Sequence, residues 1–315
     1  MTAKTPEVIQ LTGTTPALPA PAIRSFWHDF WARFRQNRLA LISLVLIGLL
    51  VMTAILGPVV YTVSPTDISP DFEINAFPSA DHLMGTDNAG RDTLARLIYG
   101  LRVSLVVAVF VEGLNIGLGA SLGLLAGYFG GWFDFVIARA ADMLFAFPGL
   151  LLAILVSAVF GPAAEDQFGG MGRLLIVAGA LSLVSWPLMA RYVRGQTLSL
   201  RERDFVLASR SVGATDGFIL TRHILPNLIG LVVVSSTLDI ANVVISEAVL
   251  SLLGLGIQPP DSSLGIMITQ ATPFLVDNWT QVFFPSAALS LIVLAVSFLG
   301  DGLRDALDPQ TVRRV

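Results

Sequence analysis

The sequence predicts an all-α polytopic membrane protein with six transmembrane helices and both chain ends on the cytoplasmic side. Three observations carry that expectation. Hydrophobic residues make up 54% of 315, mean hydropathy is +0.74 and only 13% of residues are charged, against roughly a quarter in a soluble domain. The apolar residues gather in blocks long enough for the about 20 helical residues that a bilayer crossing takes. Of the 19 Lys and Arg residues, 14 fall in three places: the N-terminal segment (5), the polar stretch leading into and through 201–227 (6), and the C-terminal segment (3). Basic residues collect on the cytoplasmic side of a membrane, which sets the orientation. Cysteine is absent, so disulfides, thiolate chemistry and cysteine-based zinc sites are excluded. A net charge of −4 leaves no electrostatic footprint for a nucleic-acid partner; the lipid bilayer is the partner that composition demands.

Residues 1–22, rich in Thr, Pro and Ala and without periodicity, are expected to be a disordered tail. They lack the apolar core of a cleaved signal peptide. Over 23–38, Ile23, Phe26, Trp27, Phe30, Trp31 and Phe34 form an aromatic stripe, with Arg24, Arg33, Arg35 and Arg38 beside it. Such a helix suits the headgroup layer. Span one covers 39–61. An extracytoplasmic segment, 62–102, carries Asp67, Asp71, Glu73, Asp81 and Asp87, and ends in an amphipathic helix (Leu94, Leu97, Ile98, Leu101) with Thr86 or Asp87 as its cap.

The core, 103–300, holds spans two to six. Span two (103–129) has glycines four apart, Gly113 and Gly117, then Gly119, Gly123 and Gly127. That spacing lets helix backbones approach closely, against another span or against a partner subunit. Span three (135–160) is interrupted by Pro148, and a loop with Glu165 and Asp166 leads to span four (174–192), which contains Pro187. Span five (228–255) is followed by a loop with Pro259, Pro260, Asp261 and Asp277, then by span six (282–299) and a cytoplasmic tail, 301–315.

Between spans four and five lies a polar island, 201–227. Its apolar residues (Phe205, Ala208, Val212, then Phe218, Ile219, Ile224) recur at helical spacing around Gly213. The pattern predicts two short amphipathic helices, hinged at the glycine and stopped by Pro226. A helical pair of this kind suits docking on a partner; an ordinary surface loop is the plainer reading.

The triplet Leu207-Ala208-Ser209, then Gly213, then Leu225-Pro226 resembles the "EAA" loop of binding-protein-dependent ABC importer permeases, with Leu207 where the motif has glutamate. Three further runs are similar to the peptide/nickel branch of that family. They are Gly85-Thr86-Asp87 with Gly90-Arg91-Asp92, the stretch from Gly254 to Pro260, and the ending from Gly300 to Pro309. The resemblance covers most of the chain from about residue 33. It implies the type I importer fold in a bacterial or archaeal inner membrane, and a permease subunit for di-/oligopeptides or a related small solute. The implied partners are a second homologous permease subunit, two cytoplasmic ATP-binding subunits and an extracytoplasmic solute-binding protein. The implied ATPase-coupling residues are Phe205, Leu207, Ala208, Ser209, Val212, Gly213, Asp216, Leu225 and Pro226.

No catalytic constellation accompanies these features. A phosphate-cradling loop needs a lysine that reaches the phosphates, and the single lysine, Lys4, lies in the tail. ATP and magnesium are therefore expected on partner subunits, with no cofactor on this chain. His28, His82 and His223 lack metal-ligand spacing, and no serine-nucleophile elbow occurs. Four acids fall inside spans: Glu112, Asp142, Asp239 and Glu247. Each costs about 2.5–3.5 kcal/mol at mid-span on insertion scales, which marks it as a candidate for the substrate pathway. Local hydrogen bonding, or a place near the membrane surface, is the plainer reading. An ATP-independent secondary transporter or channel is the rival class; it would show an internal repeat of spans and paired buried charges.

Overall fold

The computed structural model describes residues 26–68, 73–258 and 261–307, with backbone alone for Phe26, Trp27 and Asp29. The tail expected over 1–22 lies outside the described residues, as do Ile23, Arg24, Asp71, Pro259, Pro260 and 308–315. The described chain is helical, with one isolated bridge between Thr86 and Asp92. Five stretches in it are long and apolar enough to cross a membrane: Arg38–Val60, Thr93–Phe129, Gly149–Arg201, Asp216–Leu252 and Thr280–Leu307.

Helix α1 (Phe26–Phe34) stacks Phe30 and Trp31 on Phe34, with ring centroids 5.9 and 5.7 Å apart. Phe34 is buried beside Ala40 and Ala306. Asn37 caps α2 (Arg38–Val60) by accepting the Ala40 N–H at 3.1 Å. That helix buries only Ala40, Ser43 and Ala54, while Leu39, Ile42, Val45, Ile55 and Val59 stand 56–74% exposed. Small residues inward and large aliphatics outward suit a helix whose surroundings are lipid.

Helix α3 (Thr93–Leu114), a π-helical segment (Asn115–Ala120) and α4 (Ser121–Phe129) follow one another as one continuous stretch. The cap of α3 is Asp92, whose Oδ1 accepts the Ala95 N–H at 2.8 Å. Thr86 and Asp87, expected in that role, are engaged elsewhere: Thr86 Oγ1 accepts the Ala76 N–H, and Asp87 accepts from the Ala89 and Arg91 N–H groups. Capping favours the side chain next to the first helical residue, and that place is Asp92.

Helix α5 (Gly131–Phe145) ends just before Pro148, as expected, and α6 (Gly149–Arg201) follows. The 53 residues of α6 do not form one rod. Gly169 sits at φ 62°, ψ −154°, inside an otherwise helical run, a conformation only glycine adopts freely. The contacts across it close toward that residue: Asp134–Arg194 (60 apart in sequence), Asp142–Arg191 (49 apart), then Glu165–Arg173 (8 apart). The chain therefore reverses at Gly169. The irregular loop expected around Glu165 and Asp166 is instead helix on both sides of that single residue, because Arg173 satisfies Glu165 at 2.7 Å.

The island comprises α7 (Asp204–Ser211), α8 (Asp216–Phe218) and a second π-helical segment (Ile219–Ile224), leading directly into α9 (Leu225–Leu252). Pro226 does not stop the helix. It sits in the first turn of α9, behind a π turn in which the Leu225 N–H reaches the Leu220 carbonyl. The wider spacing absorbs the missing donor and the ring that would break a regular helix. Helix α10 (Leu264–Ala271), a 3₁₀ turn (Thr272–Phe274) and α11 (Thr280–Leu307) complete the chain. Ser263 caps α10, which stands where a loop is expected after span five. The main core gathers Leu101, Val107 and Val111 of α3, Val177 and Leu181 of α6, Val244 and Leu250 of α9, and Ile292 of α11.

The glycine pattern divides. Gly119, Gly123 and Gly127 abut α6 at Trp186, Ala190 and Thr197, and a Cβ on Gly127 would lie 2.7 Å from the Thr197 side chain. Gly113 and Gly117 have open space beside them. The start of α2, the end of α11 and the start of α9 meet through the contacts Gly302–Ala40 and Gly230–Leu307. The island and both ends of the described chain therefore occupy the same end of the bundle.

Candidate functional site

Val206 fastens the island. It is buried in a cluster with Tyr128, Met189, Val193, Leu200, Ile219, Ile224 and Leu228. With Val206 turned inward, residues 205, 208 and 212 are left at the i, i+3, i+7 spacing of one helix face, and that face points outward. Phe205, Leu207 and Ala208 are exposed, and Val212 is 85% exposed. Gly213, at φ +83°, ends α7; Thr215 then caps α8 by accepting the Phe218 N–H at 3.4 Å.

The two sides of this turn are cross-linked. Ser209 Oγ lies 3.1 Å from His223 Nε2. Tyr128 Oη donates to Asp216 at 2.6 Å and accepts from Arg210 at 3.3 Å, and that hydrogen bond holds the Arg210 guanidinium above its ordinary pKa. Arg201 donates to the carbonyls of Gly127 and Tyr128. Arg194 grips Asp134 through two bonds, the outer at 2.7 Å; these bonds hold the Asp134 carboxyl below its usual range. Leu225 and Pro226 are exposed at the start of α9. Seven of the nine sequence-expected residues thus sit in the α7–α8 unit, and Leu225 and Pro226 open α9. Val206 and Tyr128, which fix that unit to the bundle, were not among them.

The four acids are not brought together. Asn115 Nδ2 donates to Glu112 at 3.3 Å and to Asp239 at 3.0 Å, so these two share a partner. Asp239 reaches a cleft of about 350 Å³, with Leu188, Tyr192, Leu231, Asn242 and Arg304 among its walls. Glu247 is 1% exposed and accepts from Ser104 at 3.0 Å and Ser251 at 2.8 Å, in the joint of α3, α9 and α10. Asp142 is half exposed on the α5–α6 hairpin, between Arg191 and Arg139.

A second polar cluster occupies the opposite end. Asp87 pairs with Arg91 at 2.8 Å and with Arg96, and both arginines donate to Gln270 of α10. Asp92 accepts from Tyr61 at 2.8 Å and lies 2.9 Å from His82 Nδ1. Asn278 donates to the carbonyls of Asn75 and Ala76. The residues of the Gly85–Asp92 run are thus spent on internal contacts.

A helical bundle with apolar outward faces, and a small exposed helical unit fastened to one end, fits a membrane subunit of a larger assembly. Residues 119–313 match the family described as "Binding-protein-dependent transport system inner membrane component", and residues 25–78 match the "N-terminal TM domain of oligopeptide transport permease C". The chain belongs to that family of inner-membrane importer components, as a non-catalytic permease of the peptide/nickel type. It is 42% identical to the glutathione transport system permease protein GsiD of Escherichia coli O6:K15:H31 over 298 residues, 94% of each chain. Its identity to GsiD of Pectobacterium atrosepticum is 39% over 300 residues, 95% of this chain and 96% of that one. The fold is similar to the inward-facing MetNI methionine ABC transporter, with TM-score 0.52 and 18% identity over 68% of this chain and 97% of that one. Family membership decides between the two transporter classes in favour of the importer permease.

Proposed function

We propose that this chain forms half of the translocation pathway of an ATP-driven importer and that α7 is its docking helix for the ATP-binding subunits. The observation that carries the proposal is the outward row Phe205, Ala208 and Val212 on a helix pinned from behind by Val206. An exposed apolar row held rigidly is the surface that helix-in-groove recognition uses. ATP and magnesium belong to those partners, a second homologous permease supplies the other half of the pathway, and a solute-binding protein delivers cargo to the outer face. In this reading the chain crosses the membrane six times, the reversal at Gly169 dividing α6 between two crossings. Both ends and the island face the cytoplasm, as the arginine distribution asks.

The cargo is a small peptide or a peptide-like solute, glutathione included; the named relatives are glutathione transport permeases. Asp239, on the cleft wall, is the acid placed to meet a cationic group of that cargo. Val212→Asp and Ala208→Glu test the docking helix: both variants should fold, fail to retain the ATPases and stop uptake. Normal assembly with wild-type uptake from both would refute it. Uptake by an Asp239→Asn variant tests the cleft, and wild-type transport would remove Asp239 from the pathway.

A further inference from the structure

Beyond the chain link from the end of α6, three physical connections leave the island for the bundle. One is covalent, through the π-helical segment Ile219–Ile224 into α9. The second is the apolar seat of Val206, which is non-directional and tolerates sliding. The third is directional and made by one side chain, Tyr128, at the end of α4. Its hydroxyl donates to Asp216 on one side of Gly213 and accepts from Arg210 on the other. The Arg210 guanidinium also lies 5.7 Å from the centre of its ring, and its carbonyl accepts from Arg201. The 2.6 Å bond to a carboxylate is of the short, charge-assisted kind.

What lies behind Tyr128 gives this pin a use. Helix α4 and the π-helical segment before it meet α6 closely along Gly119, Gly123 and Gly127, opposite Trp186, Ala190 and Thr197. That same stretch of α6 carries Leu188 and Tyr192, which wall the Asp239 cleft. A closely packed seam moves as a body, since interiors transmit displacement and do not absorb it. Above α4 the chain passes through the π-helical segment Asn115–Ala120, a form of helix that recurs where helices must adjust.

We infer that Tyr128 is a positioning residue that locks the two island helices into one lever and passes their displacement through the α4–α6 seam to the wall of the Asp239 cleft. This rests on the island being the ATPase-docking element. The path makes a demand on one oxygen atom: the ring of Tyr128 fills the Val206 cluster, and its hydroxyl bridges Asp216 and Arg210.

The test uses the full complex in proteoliposomes, with its ATPases, second permease and binding protein. Glutathione uptake and ATP hydrolysis are measured together. Tyr128→Phe keeps the ring and removes the hydroxyl. The expected result is normal assembly, continuing ATP hydrolysis, and solute moved per ATP lower by about tenfold, the order that loss of a hydrogen bond to a charged partner supplies. A merely structural role would lower assembly and hydrolysis together and leave their ratio intact. If Tyr128→Phe fails to accumulate, Asp216→Ala breaks the same bond at an exposed position, and Asp216→Asn, which keeps an acceptor oxygen, should restore coupling. Wild-type solute per ATP in a normally assembled Tyr128→Phe complex, or in Asp216→Ala, overturns the latch and leaves ATPase docking on α7 intact. Failure of the unmodified chain to retain ATPases overturns both.

Discussion

Both ends of this bundle carry polar clusters, and they differ in what they leave unfilled. At one end Asp87, Arg91, Arg96 and Gln270 close on each other, with Arg96 1% exposed. At the other, α7 has spent its inward residue on Val206 and presents Val212 almost bare. A buried charged group satisfied within its own chain costs much when one partner is removed and says little about function. A rigid, exposed apolar row marks a candidate interaction surface. The family motif at each end therefore has a different physical meaning: the Gly85–Asp92 run is a brace, and the 207–226 run is, in the proposed reading, a handle.

The largest test of that contrast is Asp87→Ala. It strands two buried guanidiniums, costs about 3–5 kcal/mol, and should prevent accumulation of folded protein in detergent-solubilised membranes. A folded, heat-stable Asp87→Ala variant would show that the brace is not structural. Val212→Asp comes next, with the opposite signature. Docking should weaken by about 2 kcal/mol or more, roughly thirtyfold, while the melting temperature of the isolated chain is unchanged; a lowered melting temperature would mean that α7 is packing surface. Gly123→Val should cost about 1–3 kcal/mol through overpacking against Ala190, read as a lower melting temperature. Smallest is Gly213→Ala. Nothing lies within 4 Å of the added Cβ, so the cost, about 1 kcal/mol, is backbone strain at φ +83°. A neutral result in a thermal melt would show that the turn relaxes.

Apolar blocks, the Pro148 break and the glycine at 213 were legible in the sequence because each is a local property of chain chemistry. The features that escaped depend on distant partners. Asp92, Asp87 and Thr86 all carry capping oxygens, and only the loop's pairing with Ala76 and Arg91 leaves Asp92 to cap α3. Glu165 and Asp166 look like a loop until Arg173, across the Gly169 reversal, satisfies the first of them. Pro226 reads as a stop, and the compensating π turn has no sequence signature of its own. Glu247 has the same apparent depth as Asp239, yet three serines from α3, α9 and the start of α10 enclose it in the joint. Tyr128 is one aromatic in an apolar helix, and its hydroxyl acquires meaning only when residues 82 and 88 positions further on are folded against it.

The most direct measurement exploits the absence of cysteine from the chain. Val212→Cys and Val276→Cys place single thiols at two highly exposed positions, 85% and 97%, at opposite ends of the bundle. Maleimide labelling of each is timed in the purified permease, with and without its ATP-binding subunits. Both should label quickly alone, and the ATPases should protect position 212 and leave position 276 unchanged. Equal labelling of position 212 in the presence and absence of bound ATPases would contradict the assignment of α7 as the docking helix.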